Sequence, residues 1–484
     1  MATPNFSFSL RFLLSPSLLL LCLLCSLKKG YAYEGRETTE SHHLQQSHVV
    51  QLSSLLPAAV CNPSTKGTQN RRASLKVVHK HGPCSELYQG NAPNHTLILL
   101  QDQARVNSLQ SKLSNSNQDN NNIHASAVTI PAKDGRTVNA GNYVITVGLG
   151  TPPKQLSLIF DTGSDLTWTQ CQPCAKFCHA QKDPIFDPTK SASYTNVTCN
   201  SPLCNDLTSA TGNTPGCSTS TCVYGIQYGD QSFSVGFFGK EKLTLTSNDV
   251  FDNFLFGCGQ NNQGLFGQSA GLFGLGRDKL SFVSQSAQKY GRAFSYCLPS
   301  TPSSTGYLSF GKGGSGGGKF TSLLMNSQNP SFYFINLIAI SVGGQKLSIP
   351  ASVFSTAGTL IDSGTVITRL PATAYAALRT AFRQGMSKYP TAPALSILDT
   401  CYDLSKYSSV NVPKISFFFS GGVEMDLDSS GILYVGSTSQ VCLAVAGNSD
   451  DSSIGIFGNV QQKTFDISYD VAGGKLGFGP GGCS

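Results

Sequence analysis

Two short stretches of this chain carry residue types that can do chemistry together. In Leu158-Ile159-Phe160-Asp161-Thr162-Gly163-Ser164-Asp165 an apolar run ends in a carboxylate, followed at once by a hydroxyl, a glycine and a second hydroxyl. The same order returns at Leu360-Ile361-Asp362-Ser363-Gly364-Thr365. Glycine lets backbone come close to the acid, and the hydroxyls can donate hydrogen bonds to it. One copy is an ordinary turn; two copies, one in each half of the chain, form a pair. If Asp161 and Asp362 meet at about 3 Å, they cannot both ionise easily and share a proton over a wide acid range. Their apparent pKa values then belong to the pair. The ionised member can activate a water while the protonated member polarises a carbonyl. Peptide hydrolysis by that route needs no covalent intermediate and no metal.

The elements that must position these acids are strands. Each apolar run reads as a buried strand delivering its carboxylate into a tight turn. A second echo supports duplication: Gly271-Leu272-Phe273-Gly274 follows the first acid and Gly455-Ile456-Phe457-Gly458 the second, at comparable separations. The pattern predicts two related lobes, each contributing one acid to a shared cleft. The 484 residues allow a large core in more than one domain, and 49 glycines with only 13 % charged residues fit a mainly β protein rich in turns. Residues 142–149 read as a strand, and 223–245 as a hairpin with Gly229-Asp230-Gln231-Ser232 at its tip. Helices are expected over 103–113, over 281–290 with Gly291 closing it, and over 371–389.

The front of the chain differs from the body. Residues 1–127 hold 11 Lys+Arg against 6 Asp+Glu, and seven of the eight histidines, whereas 128–484 hold 23 against 21. The body is thus nearly neutral, which argues against a nucleic-acid partner. Residues 1–32, with an apolar stretch from Phe12 to Leu27 broken by Pro16, read as a secretory signal rather than a membrane span. Residues 33–127 read as a pro-segment, and its histidines suit acid-triggered release because histidine gains charge near pH 6.5. The catalytic lobes are expected at 128–318 and 319–484.

Sixteen cysteines fit a disulfide framework in an oxidising compartment. Cys171, Cys174, Cys178, Cys199, Cys204, Cys217 and Cys222 crowd an insertion at 171–222. The Cys-x-x-Cys-x-x-x-Cys spacing with His179 beside it also occurs in zinc sites, but behind a signal sequence the disulfide reading is preferred. Cys61 and Cys84 are free to pair with each other. Gly313-x-x-x-x-Gly318-Lys319 imitates a phosphate loop, yet Phe320 stands where a hydroxyl must bind magnesium. Asn94 and Asn196 sit in N-glycan acceptor triplets.

From about Gly141 to Ser484 the chain resembles the pepsin-like aspartic proteases. The resemblance rests on Phe160-Asp161-Thr162-Gly163-Ser164, Ile361-Asp362-Ser363-Gly364-Thr365 and Tyr228-Gly229-Asp230. Trp168 seven residues after Asp161, with the dense cysteines, is similar to the nepenthesin-type plant branch. The phrase Leu75-Lys76-Val77-Val78-His79-Lys80-His81-Gly82-Pro83-Cys84 is similar to the group holding the chloroplast-nucleoid DNA-binding and apoplastic defence-related proteases. That resemblance implies a bilobal, mainly β pepsin-like fold of two β-barrel-like lobes with a few short helices. It implies Asp161 and Asp362 as the dyad and Thr162, Gly163, Ser164, Ser363, Gly364 and Thr365 around it. It places Tyr228, Gly229 and Asp230 on a flap, with Trp168 behind Tyr228. It implies the pairs Cys171–Cys174, Cys178–Cys258, Cys199–Cys222, Cys204–Cys217, Cys297–Cys483 and Cys401–Cys442. The expected protein is a secreted monomeric zymogen acting on proteins or peptides, with its own pro-segment as partner. No cofactor, metal, nucleic acid or membrane anchor is expected. Its expected destination is the apoplast, with vacuole or plastid as alternatives. A catalytically silent protease-fold inhibitor is the alternative function.

Overall fold

In the computed structural model, residues 46–64, 73–115, 143–228, 232–264, 266–312 and 318–483 are described. The expected signal sequence at 1–32, the 116–142 stretch, Gly229 and Asp230 of the expected hairpin tip, and Gly313–Gly317 lie outside them.

Strands dominate, as the turn-rich composition predicts. The front segment contributes β1 (Ser47–Gln51), β2 (Ser74–His79) and the helix α1 (His95–Asn115). The body opens with β3 (Tyr143–Leu149) and β4 (Lys154–Asp161), which pair antiparallel. β4 buries its last six residues and ends on Asp161. β5 (Gly271–Gly274) lies parallel to it, with Gly274 beside Asp161. In the second half β6 (Thr359–Ile361) delivers Asp362, and β8 (Gly455–Phe457) lies parallel to it in the same way, after β7 (Thr368–Leu370). The two echoes read from the sequence are therefore one arrangement built twice.

A 15-stranded sheet runs through the molecule and includes C-terminal strands 466–470 and 475–479. β2 lies inside it, between strand 305–310 and β3, with Val78 opposite Val144 and His79 opposite Tyr143. β1 pairs antiparallel with strand 409–413 of the second half, the two forming a separate two-stranded sheet. The front segment is thus built into the sheets of both halves. At the base of the sheet Phe294 and Tyr469 stack with centroids 4.4 Å apart, and Tyr333 packs edge-on to Tyr469.

α1 is 21 residues long, twice the span expected at 103–113. Its start was hidden because His95 and Thr96 are weak helix formers. The Asn94 side chain caps it by accepting the Leu97 N–H at 3.0 Å. The helix expected at 371–389 is α2 (Ala372–Gly385). The one expected at 281–290 is two short turns, 282–285 and 287–290, closed by Gly291 at φ 66°.

Seven disulfides occur among the described residues. Cys297–Cys483 and Cys401–Cys442 are as implied, and Cys61–Cys84, left open by the sequence, also forms. Four implied pairings in the cysteine-rich insertion are corrected. Cys171 joins Cys258 and Cys174 joins Cys178; strand 168–170 runs parallel to 257–259, with Cys258 opposite Thr169, and the chain just after it brings the Cys171 Cα to 5.3 Å from that of Cys258. Cys204 joins Cys222 and Cys199 joins Cys217. Cys204 and Cys222 both turn into one buried cluster, whereas Cys217 lies on an exposed strand. His179 is buried and bonds the Ser269 carbonyl through Nε2 at 2.9 Å.

Candidate active site

The parallel strand pairs bring the two acid turns face to face, and backbone and hydroxyl donors shape them. Gly163 N–H donates to Asp161 Oδ1 and Gly364 N–H to Asp362 Oδ1, each at 3.0 Å. The turns then lock crosswise: Ser363 N–H donates to Thr162 Oγ1 at 2.9 Å, and Thr162 N–H to Ser363 Oγ at 3.1 Å. Each half thus fixes the other's acid turn. Thr365 Oγ1 donates to Asp362 Oδ2 at 2.6 Å. Its counterpart Ser164 helps to hold Asp161 down, although its buried Oγ lacks a hydrogen bond of full geometry. A side chain at Gly163 would bring its Cβ to 2.7 Å from Asp362 Oδ1, so only glycine lets the carboxylates approach.

Supports stand behind the second turn. Gln462 Nε2 donates to the carbonyls of Asp362 and Phe457, and Tyr296 O–H donates to Gln462 Oε1 at 2.6 Å. Asp165, which ends the first turn, is buried away from the pair and accepts the Asp278 N–H at 2.9 Å. Burial, opposed by a Ser331 hydrogen bond, pushes its carboxyl up to about 7.

Tyr228 lies at the end of strand 221–227, and Trp168 Nε1 donates to its hydroxyl at 2.8 Å. This is the placement expected for the two aromatics. Phe266 packs edge-on against both rings. Asn94 and Asn196 are exposed; Tyr194 O–H donates to Asn196 Oδ1.

The sequence reading missed the group that lies between the acids. Arg105 of α1 donates from Nη2 to Asp161 Oδ1 at 2.7 Å and to Asp362 Oδ1 at 3.0 Å. Its Nη1 reaches Asp161 Oδ2 at 3.2 Å and its Nε reaches Asp362 Oδ2 at 3.0 Å. Both carboxylates are buried. Burial pushes Asp161 up, but the Arg105 charge and hydrogen bonds, with the Gly163 N–H, bring it below the usual range. Asp362 stays above its ordinary value, because burial and the Asp161 charge outweigh Arg105. The pair therefore divides into a more acidic and a less acidic member.

α1 is fastened along its length. Ile98 and Leu99 pack with Val366, Ile367, Leu398 and Val460, while Val106 and Leu109 pack with Phe334, Leu360 and Ile456. Gln110 Nε2 bonds Asn448, and His95 Nδ1 bonds the Tyr434 hydroxyl at 2.9 Å. One signal was available in the sequence. Leu99, Val106, Leu109 and Leu113 fall at helical spacing on one face, and Asp102 interrupts that face with Arg105 beside it.

Comparison with known proteins places the chain in a family. Residues 143–312 match the family described as xylanase inhibitor N-terminal, and 332–480 its C-terminal counterpart. The chain is 57% identical over 474 residues to an aspartyl protease family protein of Arabidopsis thaliana, covering 96% of this chain and 98% of that one. It is 41% identical over 355 residues to the aspartic proteinase nepenthesin-2 of Nepenthes gracilis, covering 71% and 78%. Among solved structures, soybean basic 7S globulin aligns with a TM-score of 0.54 at 20% identity, covering 70% of this chain and 90% of that one. The structure named edgp aligns at 0.56, also at 20%, over 70% and 91%. At such identity the likeness is of fold: the mainly β, bilobal pepsin-like architecture.

Proposed function

The chain belongs to the plant aspartyl protease family of pepsin-like fold, and from that premise we propose that it is a secreted aspartic endopeptidase made as a zymogen. One observation carries the reading: two buried carboxylates from the two halves face each other across a single guanidinium supplied by the front segment. In the zymogen Arg105 fills the place where a water must sit. Once α1 leaves, the pair loses its cation and retains one shared proton. The ionised carboxylate takes a proton from water as its oxygen attacks the peptide carbonyl. The protonated carboxyl gives its proton to the carbonyl oxygen. The tetrahedral diol collapses as a proton passes to the amide nitrogen and the C–N bond breaks. Seven disulfides support an oxidising, extracellular destination.

A second reading, a silent protease-fold inhibitor, is prompted by the description of the matching family. Intact acids in both turns favour the protease. The test holds the purified precursor at about pH 4, near the ordinary carboxylate range, then assays cleavage of an unfolded protein with and without pepstatin. Pepstatin-sensitive cleavage appearing with loss of the front segment is expected, and Asp161→Asn or Asp362→Asn should abolish it. Cleavage retained in either variant would remove the dyad assignment. Tight inhibition of a glycosidase without proteolysis would favour the second reading.

A further inference from the structure

The pro-helix carries Asp102, Arg105 and Lys112, and of these only Arg105 hydrogen-bonds the acids. Asp102 stands three residues earlier and is fully buried. Its Oδ1 accepts the Val366 N–H at 2.5 Å, and its Oδ2 accepts the Ile367 N–H at 3.1 Å. Arg369 closes the cage, with Nη2 at 3.1 Å from the same Oδ2. Its Nη1 is pinned by the Ile367 carbonyl at 2.7 Å, and Nη2 also donates to Gln103 Oε1 at 3.2 Å. With α1 docked, Arg369 is 1% exposed and its Nε has no partner among the described residues.

The position of Arg369 follows from the internal duplication. It is the seventh residue after Asp362, as Trp168 is the seventh after Asp161. Trp168 lies opposite Leu272 of β5, and Arg369 lies opposite Ile456 of β8, the matching residue of the second copy. One half sets an aromatic behind Tyr228 at this position, and the other sets a guanidinium. When α1 departs, two backbone N–H groups and the charged Nη2 arm of Arg369 lose their acceptor together, while Nη1 keeps the Ile367 carbonyl. Buried donors left unmade are costly. The vacated cage suits a carboxylate, whose two oxygens can accept the two N–H groups and the charged Nη2 arm. It disfavours an amide, whose NH₂ would face donors.

We propose that Val366 N–H, Ile367 N–H and Arg369 form a carboxylate subsite, so that the freed enzyme selects peptides bearing Asp or Glu close to the scissile bond. This rests on the protease reading above. Residues three apart on one helix face hold their Cβ atoms about 5–6 Å apart. An extended peptide covers that span in about two residues, so the acid belongs within about two residues of the cleaved bond.

The test uses protein freed of its pro-segment and peptides amidated at the C-terminus. The peptides differ only in Glu or Gln at each position around the scissile bond. Assay at about pH 5.5 keeps a free Glu ionised. At one position Glu should exceed Gln at least tenfold in kcat/KM, and Arg369→Gln should reduce that ratio to near one. Arg369→Lys, which keeps charge but not the fork, should fall between. If neither variant folds, the wild-type series decides. A second peptide set, ending in a free carboxylate at the selected position, separates a side-chain from a terminal source. Preference for that set alone would support the cage and assign it to chain ends. Pepstatin-sensitive cleavage with Glu and Gln equal at every position would overturn the subsite and leave the protease reading standing. If no cleavage occurs, the protease reading falls. The same peptides then compete with a labelled 94–115 peptide for the freed protein, and equal competition by Glu and Gln overturns the subsite as well.

Discussion

Arg105 is the residue on which the state of the site depends. Burial works against its charge, yet the two aspartates outweigh burial and hold it firmly protonated. Removing one partner of a buried ion pair costs about 3–5 kcal/mol, because the remaining charge is uncompensated. In Arg105→Ala that cost falls on two carboxylates at once, and they relieve it by taking up a proton or by expelling α1. The Arg105→Ala precursor should therefore lose its front segment at least tenfold faster than wild type at about pH 6, where free carboxylates are ionised. Gel time courses measure this. Equal rates would mean that the guanidinium does not restrain the helix.

At the scale of elements, α1 and the cysteine-rich insertion each carry a consequence. Leu99 of α1 is fully buried against the second half. A buried Leu→Ala change costs about 2–5 kcal/mol, so Leu99→Ala should weaken α1 docking by at least tenfold. The measurement is inhibition of the freed protein by 94–115 peptides with and without the change; equal inhibition would place the docking energy elsewhere. The insertion is stapled to its neighbours. Cys171–Cys258 ties it to strand 249–263, and Cys204–Cys222 ties a helical turn to strand 221–227. Non-reducing peptide mapping should recover these two links with Cys174–Cys178 and Cys199–Cys217. Recovery of Cys171–Cys174 or Cys204–Cys217 would contradict these bonds.

At the scale of the molecule, the front segment binds both halves and carries a half-buried group of basic side chains. His79 lies 5.7 Å from His81, ring to ring, and edge-on to Tyr143, with Lys80, His95 and Lys463 acting on it. Burial first, then these positive neighbours, push His79 well down and His81 down to about 3. Burial lowers His95 and brings Lys463 down to about 8. A histidine whose docked value lies below its free value costs nothing above about pH 6.5. As pH falls below that value the undocked form gains a proton that the docked form resists, so docking weakens. Asp161 acts in the same direction, since its ion pair with Arg105 is lost as pH falls through its lowered value. Release of the front segment should accelerate steadily from about pH 6.5 to about pH 4. In His79→Gln/His81→Gln the upper part of that rise should be lost. A precursor that matured equally fast at about pH 4 and about pH 7.5 would refute the dependence.

The local pattern alone determined the acid turns. A strand ending in Asp, a hydroxyl and Gly is dictated by neighbours in sequence, and its repetition identified Asp161 and Asp362 as a pair that the fold brings together. The echoed strands 271–274 and 455–457 and the mainly β class were legible for the same reason, and the contact of Tyr228 with Trp168 was implied by the family resemblance. Tertiary structure decided what depends on distant segments meeting. The cysteine pairings follow from which side chains turn toward one another in the folded insertion, which spacing does not encode. The length of α1 owes more to its buried face than to intrinsic propensity, which overrode its weak first turn. That Arg105 reaches both acids, and Asp102 reaches Arg369, depends on residues 257 and 267 positions apart lying in one cleft. No local rule joins them; their opposite charges and shared burial do.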